Sequence, residues 1–512
     1  MDLRGGSRRI ETIFFWLILT LVIGLRFLNV DRGLSGDEGW LFKAAQLDLK
    51  DLGNYLKFAI GSLFPPLSPI LLHFWMKVSS HEIWVRSYFI LFGTGLSVLM
   101  YYLGRLYIHR RLGLWVFFLS ACSPLLISMS QLIRSYIDTA FWMLLSVYCL
   151  LRMVKLGFSW KRGWGYVLSS LLALYSGYIS AFVLLGQNIF VLIFYFRDFR
   201  FIKRWLCMQL ITLCLFLPCL YWVYYQTSHI TAMSTDWSQR GFIVLGLKLG
   251  LYARGIAASL GLDPWFLTLT SLREQFETWQ LLGLAGMAFG LLVWFAVKAV
   301  GRLKATFQSR RLIWFFPLIL LGSLLIHALL VEVIHFPVTG EYFIVPHVLV
   351  IMIMGVVFSK IDLKPKLEWI AFMGLMSFFI LRIPEAVKPE WEVKKASHYL
   401  IRKAGDGACL LAVSDPDKYG YLRQKAFQVI MMQPYLKSDS VSRNYGPLDQ
   451  KAEQILRDVK QRYKEVWFHR KYGNDEILKG NKLIMDWLKQ NDYKIQSTQR
   501  FKRIDIVYYR SD

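Results

Sequence analysis

The sequence predicts a mainly α, polytopic membrane helical bundle, with about eleven transmembrane helices plus interfacial helices and a small C-terminal α/β extracytoplasmic domain. Three observations predict it. Of the 512 residues, 55% are hydrophobic and only 19% are charged. The apolar residues arrive in blocks of roughly 20, the length that crosses a hydrocarbon core with every backbone polar group satisfied inside the segment. After Pro384 this block pattern gives way to short stretches of helical and strand periodicity.

The first block, 13–30, follows Arg4, Arg8 and Arg9. It is longer than the apolar part of a secretory signal, and no small-x-small cleavage site follows, so it reads as a retained signal anchor. Further spans are predicted at 84–106, 112–129, 135–154, 163–178, 179–196, 205–225, 278–297, 312–334, 341–359 and 367–383. The two short spans 163–178 and 179–196 make a tight hairpin around Ser176, Gly177 and Tyr178. The apolar stretch 66–78 is bounded by Pro-Pro and carries Lys77; the stretch 241–261 is interrupted by Lys248 and Arg254. Both read as helices on the outer interface rather than as spans.

Loop charge sets the orientation. With a cytoplasmic N-terminus every second loop should be basic, and the clusters Arg105/Arg110/Arg111, Arg152/Lys155/Lys161/Arg162, Arg197/Arg200/Lys203/Arg204, Lys298/Arg302/Lys304/Arg310/Arg311 and Lys360/Lys364/Lys366 fall in that order. An odd number of crossings then puts the first loop, 31–83, and the C-terminal residues, 384–512, together outside an inner cell membrane. The same clusters account for the net charge of +25 and pI of 9.7. They suit anionic lipid head groups, so membrane lipids and not nucleic acid are the expected partners.

The expected domains are therefore 1–383, a transmembrane catalytic domain, and 384–512, a soluble α/β domain. In the latter, helical periodicity covers Trp391 to Ala404, Asp449 to Tyr463 and Ile477 to Gln490. Strand patterns cover Ala408 to Ser414 and Lys464 to Phe468, with a terminal hairpin over Tyr493 to Tyr509. Five of the six cysteines lie in apolar segments and Cys409 stands alone in the tail, which argues against a disulfide framework or a cysteine-based metal site.

Four clusters carry potential chemistry, and all fall on the outer side of this topology. Asp37 and Glu38, just after the first span, are adjacent carboxylates beside a membrane, where mutual repulsion and poor solvation suit one of them to general-base work. A plain helix start at Ser35 or Asp37 also explains them, and for the pair taken alone it is the stronger reading. Pro65 and Pro66 give a sharp entry to an interfacial helix that places His73 and Trp75 at head-group level. Arg134, Tyr136 and Asp138 open the fourth span; Arg134 and Asp138 are spaced to share a helix face, either as an ion pair or as a phosphate holder beside an acid. Glu341 and Tyr342 open the tenth span, where a helix dipole also favours the acid, and His327 and Glu332 lie deeper on the ninth.

Taken in order, the Asp-Glu pair after the first span, the Pro-Pro-Leu helix in the same loop, the Arg-x-Tyr opening the fourth span and the Tyr of a late span resemble the GT-C superfamily of membrane glycosyltransferases. The likeness is to the bacterial branch related to protein O-mannosyltransferases and aminoarabinose transferases, and covers most of residues 10–360. It implies inverting transfer of a hexose or pentose from a polyprenyl-phosphate donor to a lipid, polysaccharide or protein acceptor outside the membrane. It further implies Asp37 as catalytic base, Glu38 in support and Arg134 on the lipid phosphate. Where relatives read Ser-Gln-Glu-x-Arg-x-Tyr this chain has Leu132 in place of the Glu, and Asp138 is the substitute; the late Arg-Tyr is Glu341-Tyr342 here. No cofactor is implied with certainty, although Asp37, Glu38 and Asp138 together have the chemistry to hold a divalent cation. Two rival readings are a multi-pass transporter or flippase, for which matching broken helices are lacking, and an O-antigen polymerase or ligase using loop 226–277, which has no motif.

Overall fold

The computed structural model describes residues 3–31, 34, 38–58, 65–231, 312, 314–334, 344–358, 383–384, 387, 393–404, 409–412, 428–431, 450–471, 475–501 and 504–511. The expected span 278–297, the interfacial stretch 241–261 and all but the last residue of the span 367–383 lie outside them. The chain divides into two compact units, Met1–Val30 with Lys43–Val387, and Asp31–Phe42 with Lys388–Asp512.

In the first unit the apolar blocks form helices. The first is α1 (Leu3–Phe27), which starts well before the predicted block. Short helices α2 (Glu38–Gln46), α3 (Leu49–Phe58) and α4 (Leu67–Met76) follow. Ala44 and Leu52 are buried there with Leu47, Ile70 and Trp222. Helix α4 begins as the proline pattern predicts. Pro66 precedes it and Pro69 falls in its first turn, where a missing N–H costs nothing. Trp75 stacks on Trp84 at 4.9 Å, and each indole N–H donates to the other residue's backbone carbonyl, at 2.9 and 3.0 Å. Both indole donors are thus satisfied within the protein.

Helix α5 (Glu82–Tyr107) matches its predicted span. The span expected at 112–129 is instead two helices, α6 (Arg110–Cys122) and α7 (Pro124–Gln131), bent by 60°. The cause is local. Pro124 disfavours helical backbone in the preceding residue, and Ser123 is extended at φ −66, ψ 116. Ser123 Oγ accepts from Leu126 N at 3.4 Å and shares a hydrogen bond of 2.8 Å with His347 Nε2 on a later helix, so the bend has its own polar support.

After a break comes α8 (Tyr136–Leu156), then α9 (Trp160–Ser176), α10 (Ser180–Tyr195) and α11 (Phe199–Thr231). Beyond the undescribed stretch are α12 (Phe315–Ile334) and α13 (Ile344–Phe358). Helices α10 and α12 touch through glycines: a Cβ on Gly322 would meet Gly186 Cα at 2.9 Å, so the backbones approach to a distance only small residues allow. Outward faces are apolar, with Ile13, Phe14, Trp16 and Leu17 of α1 and Leu210, Leu213 and Leu217 of α11 exposed, as suits contact with lipid.

Among the described residues α5, α8 and the Phe199–Tyr224 part of α11 are long and apolar enough to cross a membrane, and α6 with α7 is a fourth if counted as one span. The described helices therefore do not establish eleven crossings. The predicted hairpin is present as α9 and α10, joined at Gly177–Ile179, but these helices have only 17 and 16 residues.

The second unit contains a five-stranded sheet. Its elements are α14 (Val393–Lys403), β1 (Cys409–Ala412), β2 (Gln428–Met431), α15 (Gln450–Arg462), β3 (Glu465–Lys471), α16 (Asp475–Gln490), β4 (Tyr493–Phe501) and β5 (Ile504–Ser511). The order is β2-β1-β3-β5-β4, parallel across β2, β1 and β3 and antiparallel beyond. Alternation along the strands builds two cores. Cys409, Leu411, Val466, Phe468, Val507 and Tyr509 face Leu456 and Val459 of α15 and Ile484, Trp487 and Leu488 of α16. Leu410, Trp467 and Ile506 face Ala396 and Leu400 of α14. Strand β2 is absent from the sequence prediction, because Val429, Ile430 and Met431 give too short an apolar pattern.

Candidate functional site

The chemistry-bearing residues of the first unit gather where α7 ends and α8 begins. Residues 132–135 are not helical, and Arg134 N donates to Leu132 O at 2.9 Å within that break. Arg134 is half-buried with its guanidinium 5.7 Å from the centroid of the Tyr136 ring, a cation–π arrangement. Asp138, in the first turn of α8, is fully buried.

The partner of Asp138 is not the expected one. The i, i+4 spacing to Arg134 presumes that both residues are in the helix, but α8 starts at Tyr136 and leaves Arg134 outside it. Asp138 instead accepts a hydrogen bond of 2.5 Å from Ser68 Oγ and one of 3.0 Å from Thr139 N. Ser68 is the second residue of α4 and is itself fully buried, with Pro65 also buried and Pro66 partly so. The Pro-Pro-Leu motif of the first loop and the acid of the fourth span, 70 positions apart, thus form one hydrogen-bonded contact. His73, one helix face away on α4, donates from Nδ1 to Ala45 O at 3.0 Å, tying α4 to α2.

Glu38 belongs to the second unit, where it opens α2 and is 1% exposed. A carboxylate in the first turn is favoured by the helix dipole. Asp37, Glu341 and Tyr342 lie outside the described residues, as do the side chains of His327 and Glu332. Among the described residues no three His, Cys, Asp or Glu side chains are grouped to hold a metal ion, and Asp37 is not among those residues.

Ser68 was not singled out from the sequence. The available signal is a serine between prolines in the first turn of a helix, where the chain direction is fixed and a hydroxyl can be aimed. Its bond can be tested by a double-mutant cycle. Ser68→Ala leaves one oxygen of a buried carboxylate without its side-chain donor and should lower stability by about 1–3 kcal/mol. Combined with Asp138→Asn, thermal unfolding in detergent should show strongly non-additive losses, whereas additive losses would show that the contact does not form.

No protein-family model matches this sequence, and no curated protein does. Solved structures do. ArnT from Cupriavidus metallidurans in the apo state is 12% identical with a TM-score of 0.58, covering 97% of this chain and 98% of that one. The same protein bound to undecaprenyl phosphate matches at 11% identity, with the same TM-score of 0.58 and the same coverage of 97% and 98%. The fold is GT-C. A third match is the Archaeoglobus fulgidus oligosaccharyltransferase, at 14% identity and a TM-score of 0.51, over 89% of this chain and 67% of that one. The apolar helices described above agree with a membrane protein. Within this shared fold, the residues that the structure brings together are Ser68 with Asp138 and Arg134 with Tyr136.

Proposed function

We propose that this chain is a glycosyltransferase that moves a hexosyl or pentosyl group from a polyprenyl-phosphate donor to a lipid, polysaccharide or protein acceptor on the outer face of a cell membrane. The observation that carries the reading is the match over 97% of the chain to a protein solved with undecaprenyl phosphate bound. The ordered Asp-Glu, Pro-Pro-Leu and Arg-x-Tyr motifs support it independently of fold. So does elementary chemistry: a polyprenyl tail stays in hydrocarbon while its phosphate needs a cation at the interface, and Arg134 stands in a non-helical break at the end of an apolar helix.

In the reaction the acceptor hydroxyl oxygen bonds to the anomeric carbon as the bond from that carbon to the phosphate oxygen breaks on the opposite face, giving inversion. Asp37 takes the acceptor proton. Arg134 holds the departing polyprenyl phosphate and offsets the charge that grows on its oxygen, an interaction strongest in the transition state. Glu38 supports Asp37 through the start of α2, and Asp138, held by Ser68, fills the acidic role left open by Leu132.

Donor choice is tested by photolabelling. A polyprenyl phosphate with a photoreactive isoprene unit should label the wild-type chain in membranes. Polyprenyl-phosphate sugars should compete for that labelling, and nucleotide sugars should not. Labelling that ignores both competitors would remove the donor from the proposal.

Orientation is a second expectation of the same reading. The grouping of 31–42 with 388–512 in one unit supports placing both outside. Ser497→Cys, on the exposed edge strand β4, should react with an impermeant maleimide added from outside intact cells. Cys207 and Cys214 are exposed and are best replaced by serine. Cys409 can stay, since burial pushes its thiol up to about 12 and leaves it protonated and unreactive. Labelling only after the cells are opened would reverse the topology.

A further inference from the structure

A wholly buried arginine near the end of a membrane helix needs a physical reason, because an ionised side chain inside a bilayer costs at least about 2.5–3.5 kcal/mol on insertion scales. Arg26 of α1 is such a residue, at 0% exposure. Its Nε donates to Ser130 Oγ at 3.0 Å, and its Nη2 donates to Ser97 Oγ at 2.9 Å and to Ser120 O at 3.5 Å. Nη1 donates to Val22 O in its own helix at 3.2 Å. The guanidinium therefore joins α1 to α5, α6 and α7 at one point. The neighbouring Gly93 leaves room for this: a Cβ there would lie 2.0 Å from Ser130 Oγ and 3.1 Å from Arg26 Nε.

Gln131, the next residue along α7, works in the opposite direction. It too is fully buried, and its amide nitrogen donates to Arg26 O at 2.9 Å and to Leu28 O at 2.7 Å. The Arg26 carbonyl is in the last turn of α1 and the Leu28 carbonyl just past its end, where intrahelical donors run out. The Gln131 backbone carbonyl in turn accepts from Arg86 of α5. Immediately after Gln131 the chain leaves the helix for the break that carries Arg134, and Asp138 follows in the first turn of α8. Ser130 and Gln131 are thus the last fixed points before a stretch that has few backbone bonds of its own.

We infer that Arg26 and Gln131 are positioning residues: their reciprocal hydrogen bonds lock the end of α1 to the end of α7 and so hold the 132–135 break, with Arg134, in one conformation. Neither residue is assigned a contact with substrate. The inference rests on the proposed function for its catalytic consequence, but the brace itself is a statement about the chain alone. The geometry explains why polar side chains are retained at this depth. A brace of hydrogen bonds fixes direction as well as distance, which apolar packing of the same volume does not.

The test uses Gln131→Met, which keeps the side-chain volume and removes both donors, with Gln131→Glu as a companion that keeps the shape and loses the amide N–H groups. Hydrogen exchange of peptides covering 132–138, measured on the full chain in nanodiscs, should speed up by at least about tenfold in Gln131→Met while exchange in the helix interiors of α5 and α8 stays at the wild-type rate. Transfer from polyprenyl-phosphate sugar should fall by about 10–100-fold, chiefly in kcat, because a displaced group loses its alignment in the transition state. Gln131→Glu should show the same pattern. Unchanged exchange at 132–138 would overturn the brace. Faster exchange with wild-type kcat would overturn its positioning role. If the wild-type chain transfers nothing, the proposed function fails, and the exchange measurement still decides the brace.

Discussion

Asp37→Asn is expected to reduce sugar transfer by about 10²–10⁴-fold, the range set by removing a positioned general base. The change conserves volume and removes only the charge and the proton-accepting oxygen. Membrane insertion, the amount of protein and its thermal midpoint should stay at wild-type values, since the substitution keeps the size and shape of the side chain. Kinetics separate the roles. Loss of a base acts on the step in which the acceptor oxygen attacks, so kcat should fall and the KM for the donor should change little. Glu38→Gln should cost less, because Glu38 lies in the first turn of α2 and supports the site through that helix. Equal losses in the two variants would move the base from Asp37 to the pair.

Arg134→Ala carries the second large effect. A charge-assisted hydrogen bond to a phosphate contributes about 1.5–3 kcal/mol, so losing it should lower kcat/KM by roughly 10–100-fold. The donor KM should rise in this case, because the phosphate is present in the ground state, and kcat should fall as well, because the charge on the leaving oxygen grows as the bond breaks. Arg134→Lys should recover part of the donor affinity and little of kcat, since an ammonium keeps the charge but lacks the fork. The guanidinium already rests over Tyr136, 5.7 Å from its ring centroid, so Tyr136→Phe, which keeps that ring, should leave donor binding close to wild type. A wild-type donor KM in Arg134→Ala, measured by titrating the polyprenyl-phosphate sugar, would remove Arg134 from the phosphate site.

Some of this architecture is legible in the sequence because its signals are local. The proline pair announces α4, the short apolar run of Val466, Trp467 and Phe468 announces β3, and the terminal hairpin is visible in its own pattern. What escapes is what depends on partners far along the chain. The spacing of Arg134 and Asp138 allows an ion pair, and only the break before Tyr136 leaves Asp138 to Ser68. Arg26 was absorbed into an apolar span, although an arginine within a span was itself a signal that a polar partner must exist. Ser123-Pro124 was passed over inside a predicted span, and that dipeptide carries the 60° bend. The likeness of motifs suggested the fold, but the departures from it, Leu132 and the later Glu341-Tyr342, mark the places where this chain's own residues have to be measured.

The most direct measurement follows one sugar from lipid to acceptor. Membranes containing the wild-type chain, supplied with a polyprenyl-phosphate sugar labelled in the sugar and differently in the lipid, should lose sugar label from the lipid and gain it on an acceptor in equal amounts. One polyprenyl phosphate should be released per transfer, with Asp37→Asn membranes showing neither change. Sugar that stays on its lipid in the presence of active wild-type membranes, or that is transferred equally well by Asp37→Asn, would contradict the proposed chemistry.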